Sequence, residues 1–447
     1  MSPLRHAVAA SLTALALGVP VQAGNWPQFR GPHGQGVSDE AALPSTWSPA
    51  TNVAWKTAIA GLGHSSPIVW GDYVFLTTAI EGESLPGAKP PIHLLQEDPA
   101  KPAEPFVHPD SLGADKKHTY KVMALALDTG AVRWEHVAYE GPVYDGRHKR
   151  GSYASPTPVT DGTRVFAYFG SEGVFAYDFA GKLLWKVDIG DIKTLGMGTA
   201  SSPVLYRDLV ILQCDEDNGD ASFITALDAK TGKTVWKTKR TTSVTWTTPA
   251  LVEVPGGASE LVAAGMEFII GYDPATGQEL WRTKGLESNT IATPLVGHGL
   301  VIVSAGYPTK KVIAIRPGGR GDVTATHIAW TYEKGTSYIT SPILYGDYVY
   351  LISDAGLLTC LDAKTGAVKY EGGRPPVPAK FVASPVAFGG NLFLTSTDGD
   401  TFVVKAGPVH EVVRTNELDE PVYASLAPAQ GRLLIRGQSH LYCIKPA

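Results

Sequence analysis

Cysteine is rare in this 447-residue chain, which has three in total. Cys214, Cys360 and Cys443 are too few and too scattered to staple a disulfide-dependent scaffold. At least one of them must be unpaired within a monomer, and the sequence leaves their pairing state open. The fold therefore has to be stabilised by a hydrophobic core, which a hydrophobic content of 44% can supply.

The chain also carries only a small net charge. The 38 Lys and Arg residues nearly balance the 43 Asp and Glu residues, for a formal net charge of −5. No basic block stands out, so the electrostatic footprint of a nucleic-acid-binding protein is absent. Beyond the N-terminus no apolar run approaches the roughly 18 residues of a membrane helix. We expect no nucleic-acid partner and no membrane span in the mature chain.

The N-terminus has the pattern of a signal peptide. Arg5 precedes a largely apolar run from Val8 to Val19, and Val21-Gln22-Ala23 follows as a small-residue cleavage site. That run is too short for a bilayer, which needs about 20 residues. We predict a signal peptide over residues 1–23, export to the periplasm or the extracellular space, and an N-terminal extension over residues 24–50.

Motifs that would carry chemistry are missing as well. The 12 histidines show no His-x-x-x-His spacing, and the cysteines form no Cys-x-x-Cys pair. The chain also lacks a Gly-x-Ser-x-Gly nucleophile elbow and a complete Gly-x-x-x-x-Gly-Lys-Ser/Thr phosphate loop. The sequence predicts no catalytic residue and no metal site, although a hydrolase or lyase using residues around a channel stays a distant alternative.

What the chain does contain is a repeat. Each unit opens with a proline, continues through short apolar strands, and ends with a Thr-Gly turn and a strand that carries an aromatic residue. The opening prolines are Pro67, Pro158, Pro203, Pro249, Pro294, Pro342, Pro385 and Pro428. Units of this length with four strands each are typical of propeller blades. We predict an all-β fold, an eight-bladed β-propeller of four-stranded antiparallel blades over residues 51–447.

Two segments depart from the repeat. The eighth unit supplies only three strands, and residues 52–57 supply the missing one, so an N-terminal strand in the last blade should close the ring and remove its free edge. Residues 81–118, in the first blade, are rich in proline and show no alternating apolar run. We expect this insertion to be mobile or ordered by a partner, to form no ladder strands and to lie beside or over one face of the ring.

One large side chain per unit is expected to dock between neighbouring blades. In two units this residue follows the pattern Asp-x-x-Thr-Gly-x-x-x-Trp, at residues 228–236 and 273–281, where Asp and Gly build the turn and Trp packs across it. The predicted docking residues are Trp55, Trp134, Trp185, Trp236, Trp281, Trp330 and Tyr370.

That pattern resembles the tryptophan-docking motif of pyrroloquinoline-quinone (PQQ) type propellers. The opening Asn25-Trp26-Pro27-Gln28-Phe29-Arg30-Gly31-Pro32 is also similar to that of exported PQQ-like repeat proteins, which in turn resemble BamB, the propeller subunit of the outer-membrane β-barrel assembly machinery. The resemblance implies a non-catalytic exported propeller that binds a protein or a cell-envelope component.

The alternative implied by the same resemblance is a PQQ-dependent oxidoreductase. Quinoprotein alcohol dehydrogenases of this type hold the quinone against a disulfide between adjacent cysteines, with calcium bound by Glu, Asn and Asp. This chain has no adjacent cysteines and no Cys-x-x-Cys-His haem attachment. We therefore expect no cofactor, with PQQ and calcium kept as the alternative.

The predicted ligand or partner face lies where the fourth strand of one blade leads into the next. Its candidate residues just upstream of the opening prolines are His64, Tyr153, Trp246, Asn289, Tyr338, Phe381 and Tyr423. These residues suit a ligand or a peptide, or else they simply pack the channel mouth. A basic loop of Arg147, His148, Lys149 and Arg150 could join the insertion in binding an acidic partner, or could be a solvated loop. We expect a monomer.

Overall fold

The computed structural model describes residues 24–95, 104–217 and 219–446, with the backbone alone at residue 95. The predicted signal peptide lies outside the described residues, and so do residues 96–103 of the insertion. Within the described part the chain forms 37 β-strands and one 3-10 turn, Gly170–Glu172. No helix there is long and apolar enough to cross a membrane.

The first half of the chain forms one N-terminal strand, four blades and two small two-stranded sheets in and beside the insertion. The N-terminal strand is β1 (Val53–Ala58). Blade 1 and its insertion contain β2 (Ile68–Trp70), β3 (Tyr73–Ser84), β4 (His93–Leu95), β5 (Glu104–Phe106), β6 (Ser111–Leu112), β7 (Lys116–Ala126), β8 (Val132–Pro142) and β9 (Arg147–His148). Blade 2 contains β10 (Val159–Thr160), β11 (Arg164–Tyr168), β12 (Val174–Asp178) and β13 (Leu183–Val187). Blade 3 contains β14 (Val204–Tyr206), β15 (Leu209–Cys214), β16 (Phe223–Asp228) and β17 (Thr234–Lys239). Blade 4 contains β18 (Ala250–Glu253), β19 (Ser259–Ala263), β20 (Phe268–Tyr272) and β21 (Glu279–Lys284).

The second half repeats the same arrangement. Blade 5 and its connection contain β22 (Leu295–Gly297), β23 (Leu300–Ala305), β24 (Lys311–Ile315), β25 (Gly321–Asp322) and β26 (Ile328–Tyr332). Blade 6 contains β27 (Ile343–Tyr345), β28 (Tyr348–Ile352), β29 (Leu358–Asp362) and β30 (Val368–Gly373). Blade 7 contains β31 (Val386–Phe388), β32 (Asn391–Thr395), β33 (Thr401–Lys405) and β34 (Val412–Asn416). Blade 8 contains β35 (Ala427–Ala429), β36 (Arg432–Arg436) and β37 (His440–Ile444).

These strands confirm the eight-bladed, all-β prediction. Each blade is an antiparallel meander in which sequential strands pair, and β25 adds a short parallel strand to the outer edge of blade 4. Blade 8 takes its outer strand from the N-terminus, because β1 pairs antiparallel with β37 and sets Trp55 opposite Cys443. The closure predicted from the missing strand is therefore confirmed.

A belt of hydroxyl groups joins neighbouring blades where the inner strands begin. The backbone N–H of Ser66 donates to Thr157 Oγ1 at 2.9 Å, and the N–H of Thr157 donates to Ser202 Oγ at 3.0 Å. Four equivalent bonds follow, from Ser202 to Thr248, Thr293 to Ser341, Ser341 to Ser384, and Ser384 to Ser425. Seven of the eight belt residues directly precede an opening proline, which brings no N–H of its own to compete for these acceptors.

The belt corrects the register of the eighth unit. Ser425 takes the belt position in blade 8, and Leu426 follows it where the other seven blades have proline. Pro428, predicted as the opening proline, instead lies inside β35 opposite Leu433. Proline fits there because β35 pairs with only one neighbouring strand.

The core lies between blades. Seven hydrophobic clusters each combine residues from adjacent sheets, and one of them joins blades 7, 8 and 1. The outer edge of several interfaces is closed by an indole. Trp236 Nε1 donates to the carbonyl of Pro274 in the next blade at 3.2 Å, and its ring covers Gly277, where a Cβ would lie 2.4 Å from the indole. Trp55, Trp134, Trp185 and Trp330 donate in the same way to Leu127, Phe179, Ala229 and Ala363.

Trp281 and Tyr370 also pack in clusters shared by two blades, but within the described residues neither donates to a carbonyl of the next blade. Trp281 is fully buried in the cluster of blades 4 and 5 and donates to Glu260 Oε2 of its own blade at 2.7 Å. The next blade has Arg-Pro-Gly-Gly-Arg at residues 316–320 instead of an Asp-x-x-Thr-Gly turn, so the usual acceptor surface is missing. Tyr370 lies against the ring of His410 in blade 7, with 5.5 Å between centroids, and its buried hydroxyl has no hydrogen-bond partner among the described residues.

The insertion is more ordered than its composition predicted. Strands β3 and β7 continue into the insertion and pair Ser84 with Lys116, so the segment that leaves the blade is shortened to residues 85–115. Strands β4 and β5 form a hairpin, and β6 pairs with β9 of the loop that leads to blade 2. The prediction that residues 81–118 form no ladder strands was wrong, because several prolines lie between these short strands and Pro105 lies in a two-stranded hairpin.

The N-terminal extension crosses the end of the channel that lies away from the belt. Trp26 bridges to Val69 in blade 1, and Ser38 donates to the carbonyl of Ala387 in blade 7. Further contacts link Pro27 to Thr160, Arg30 to Pro342, Gln35 to Val296 and Glu40 to Gln430. The extension thus touches six blades and leaves the belt end, which we call the channel mouth, uncovered by residues 24–50.

Removing one belt hydroxyl should destabilise the ring. In Ser341→Ala the buried N–H of Thr293 loses its acceptor, which should cost about 1–3 kcal/mol of unfolding free energy. Ser341→Thr is the matched control, because threonine serves the belt in three other blades, and it should stay within about 1 kcal/mol of the wild type. Denaturant unfolding measures both, and equal stability of Ser341→Ala and the wild type would contradict the belt's role.

Candidate functional site

The predicted mouth residues fall into neighbouring pairs. The ring of His64 stacks on that of Tyr423, with centroids 4.8 Å apart and an interplanar angle of 19°. Asn289 Nδ2 lies 3.5 Å from the Tyr338 hydroxyl, and Tyr307 lies beside Tyr338 at 5.8 Å between centroids. These contacts arise because consecutive loops meet around the channel.

Trp246 and Tyr153 sit differently. The half-buried indole of Trp246 donates to the carbonyl of Gly198 at 2.8 Å, which fixes its orientation at the mouth. Tyr153 is only 9% exposed, and its hydroxyl donates to the carbonyl of Asp145 at 3.0 Å. Tyr153 therefore lies beneath the insertion, where it lines a separate cavity of about 460 Å³ beside His118.

A second cavity, of about 340 Å³, opens at the mouth itself. Its floor contains Phe381, which is 2% exposed, and the half-buried Tyr423. We call it the mouth pocket, and its lining residues are Arg150, Ile339, Asp354, Ala355, Lys380, Phe381, Val382, Thr397 and Tyr423. It joins blades 6, 7 and 8 to a loop that arrives from blade 1.

Sequence reasoning missed Asp354 and Lys380. It followed only the loops that enter each inner strand, whereas the loops between second and third strands, such as residues 353–357, open on the same end of the ring. Lys380 immediately precedes Phe381 in one of the entering loops, so the prediction of Phe381 could have pointed to Lys380 as well. Asp354 accepts the N–H of Ile339 at 3.3 Å. Burial raises the pKa of Asp354, against the opposing effects of that hydrogen bond and of Arg150.

Most side chains of the basic loop, residues 147–150, make contacts within the loop or with the insertion. Arg147 is buried and donates to the carbonyls of His148 and Gly151. Asp110 of the insertion forms an ion pair with Lys149 at 2.7 Å, and His148 Nε2 lies 3.4 Å from Asp110 Oδ2. Arg150 is the member of the loop that reaches the mouth pocket.

His64 is surrounded by cations. Burial, together with the guanidinium groups of Arg147 and Arg436, lowers the pKa of His64 to about 4, so the imidazole is neutral at pH 7. Arg436 is 2% exposed and none of its three guanidinium nitrogens has a hydrogen-bond partner among the described residues. Burial lowers its pKa to about 10, which leaves it charged. Two arginines therefore lie near His64, with Glu81 paired to Arg147 and Glu420 acting on Arg436.

A histidine clamp anchors the insertion to the ring. His93 Nε2 lies 3.0 Å from Asp145 Oδ1, and His93 Nδ1 lies 2.8 Å from Asp217 Oδ2. Burial alone would lower the pKa of His93, but hydrogen bonds to both carboxylates raise it to about 9. The charged imidazolium thus donates to two carboxylates from different parts of the ring. Asp145 is held in turn by the backbone N–H and hydroxyl of Thr194.

The mouth residues do not match what a quinone and calcium would need in the resembled dehydrogenases. Asp354 is the one carboxylate among the residues that line the mouth pocket, and two cations, Arg150 and Lys380, line the same pocket. No group of three His, Cys, Asp or Glu side chains within residues 24–95, 104–217 and 219–446 could hold a metal ion. Cys214, Cys360 and Cys443 lie in blades 3, 6 and 8 as buried thiols, and burial raises the pKa of each to about 12.

Comparison with known proteins gives one family and several similar folds. The family model described as outer membrane protein assembly factor BamB matches residues 119–372, more than half of the chain. None of the curated proteins matches. The fold is similar to that of BamB from Moraxella catarrhalis, at 16% identity and a TM-score of 0.54, over 73% of this chain and 88% of that one.

Two solved dehydrogenases are similar in fold over nearly the whole chain. A europium-containing methanol dehydrogenase has 13% identity and a TM-score of 0.52, with 94% of this chain and 91% of that one covered. A quinohemoprotein alcohol dehydrogenase from Comamonas testosteroni has 12% identity and a TM-score of 0.52, with 95% and 81% covered. At such identities the likeness is one of fold alone.

The clamp predicts a pH-dependent anchoring of the insertion. The folded pKa of His93, about 9, exceeds its ordinary value of 6.5, so its stabilisation is complete below pH 6.5 and is lost as the pH rises through 9. Limited proteolysis at pH 6 and pH 10 should cut the wild-type insertion faster at the higher pH. His93→Gln should be cut fast at both, and His33→Gln, distant from the clamp, should behave as the wild type. A pH-independent wild-type rate would contradict the charged clamp.

Proposed function

Because the chain belongs to the family of outer membrane protein assembly factor BamB, we propose that it is a non-catalytic, exported propeller whose channel mouth binds a protein of the cell envelope. The family name describes a factor that acts on the assembly of other proteins, which favours a protein partner over a small substrate. Export rests on the signal peptide predicted from residues 1–23.

The observation that carries this proposal is the asymmetry of the ring. The extension crosses the far end of the channel, with Arg30 buried against the carbonyl of Pro342. The mouth instead presents half-buried aromatic side chains, Trp246, Tyr338 and Tyr423, that keep part of their surface in solvent. Aromatic residues held in fixed orientations are the side chains that most often dominate protein interfaces.

A PQQ-dependent oxidoreductase is the alternative function, and its support is the fold shared with the two dehydrogenases. A quinone requires stacking surfaces and a metal that polarises its reactive carbonyl. The mouth supplies aromatic rings for stacking, but one carboxylate and two cations line its pocket, and the chain has no adjacent cysteines to complete a stacking face. We therefore rank partner binding first.

The proposal predicts that mouth aromatics are required for partner binding and dispensable for folding. Trp246→Ala combined with Tyr338→Ala should lower recovery of the envelope partner at least tenfold when the tagged protein is isolated from its native host, since hot-spot residues each contribute about 2 kcal/mol or more. The matched control is Val235→Ala with Val413→Ala, two exposed positions on outer strands, which should retain the partner.

Thermal melting and a cofactor assay complete this test. Both double variants should melt as cooperatively as the wild type, so that loss of the partner cannot be assigned to unfolding. Added PQQ and calcium should give the purified protein no alcohol-dependent dye reduction. Retention of the partner by the mouth variant would contradict the proposal, and calcium-dependent turnover with PQQ would replace it with the oxidoreductase.

A further inference from the structure

The mouth pocket combines an apolar floor with a cationic rim. Phe381 and Tyr423 form the floor, and Ile339 and Val382 contribute apolar walls. Arg150 and Lys380 are both exposed and both line the opening. A volume of about 340 Å³ lies at the lower end of the roughly 300–1,000 Å³ of ligand pockets, so it suits one large side chain better than an extended ligand.

Neither rim cation is neutralised by a neighbour. Within the described ranges Arg150 and Lys380 form no ion pair within 4 Å, although most other basic groups near the insertion are paired. Asp354 lies in the same pocket but accepts the N–H of Ile339. Two cations against one half-buried carboxylate give the residues that line the pocket a net positive charge.

The insertion determines where Arg150 lies. Strand β6 of the insertion pairs with β9, the N–H of Lys149 donates to the carbonyl of Asp110, and the N–H of Arg150 donates to His148 Nδ1. The loop therefore carries Arg150 from the blade 1 side of the mouth to a pocket lined by blades 6, 7 and 8. These contacts fix the backbone from which the exposed Arg150 side chain extends, so the loop itself need not be ordered when the side chain binds an anion.

From these contacts we infer that the mouth pocket receives an acidic segment of the protein partner, with an aromatic or large apolar side chain on Phe381 and Tyr423 and adjacent carboxylates on Arg150 and Lys380. This inference rests on the proposed function and adds the chemistry of the segment that is recognised. Guanidinium and ammonium groups at a rim pair with carboxylates and select against basic sequences. The apolar floor supplies the burial that a charge pair alone lacks.

The probe for this inference is the tripeptide N-acetyl-Glu-Phe-Glu-amide, observed by saturation-transfer difference NMR with the full mature protein. We expect transfer to the phenyl ring of the probe, and an affinity about tenfold weaker for the isosteric N-acetyl-Gln-Phe-Gln-amide. Arg150→Glu with Lys380→Glu should abolish the preference for the acidic probe. Lys230→Glu with Lys233→Glu changes the net charge equally at a distant turn and should preserve it.

The outcomes separate this inference from the proposed function. Equal binding of the two probes to the wild type, or an unchanged preference in the Arg150 and Lys380 variant, would overturn the inference while the Trp246 and Tyr338 experiment could still succeed. Binding of N-acetyl-Glu-amide as tightly as the tripeptide would also overturn it, because the pocket would then take a small anion without the aromatic side chain. Cooperative melting of both charge variants excludes loss of the fold.

Discussion

Hydrogen bonds from a backbone N–H of one blade to a Ser or Thr hydroxyl of the next hold the channel mouth together. Four belt residues, Thr157, Ser202, Ser341 and Ser384, each accept a bond from the preceding blade and donate their own N–H to the following one. Both groups are buried, so breaking one link leaves an unsatisfied donor in a dry site. The loops that enter the blades end within a few residues of this belt. Their side chains are therefore brought together around one axis.

The repeat was predictable because its signals are local. Alternating strands, Ser/Thr-Pro openings and Thr-Gly turns recur within each unit, and the absence of a fourth strand after residue 427 pointed directly to residues 52–57. Errors arose where a distant partner decides the structure. Pro428 was assigned the role of Leu426 because the belt bond of Ser425 cannot be seen from spacing, and the docking pattern of Trp281 does not show that its N–H donates to Glu260 in its own blade.

The insertion shows the same limit more clearly. Its proline content predicted an unpaired loop, yet His93 lies between Asp145 and Asp217, which are 52 and 124 residues away in sequence. The contacts of His93 anchor the insertion. The pairing of β6 with β9 then positions the loop after blade 1, so that Arg150 lies at the far side of the mouth. The candidate face was therefore predictable as a ring of entering loops, whereas the cationic pocket within it depends on contacts that only the folded chain brings together.

Site-specific photo-crosslinking in the native host tests partner binding at the mouth most directly. A photoreactive phenylalanine derivative replaces Tyr338 at the mouth in one variant and Val235 on the outer strand of blade 3 in another. We expect a single envelope protein to be crosslinked at high yield from position 338 and little or no crosslink from position 235. Crosslinking of that protein from position 235 with none from position 338 would contradict binding at the mouth.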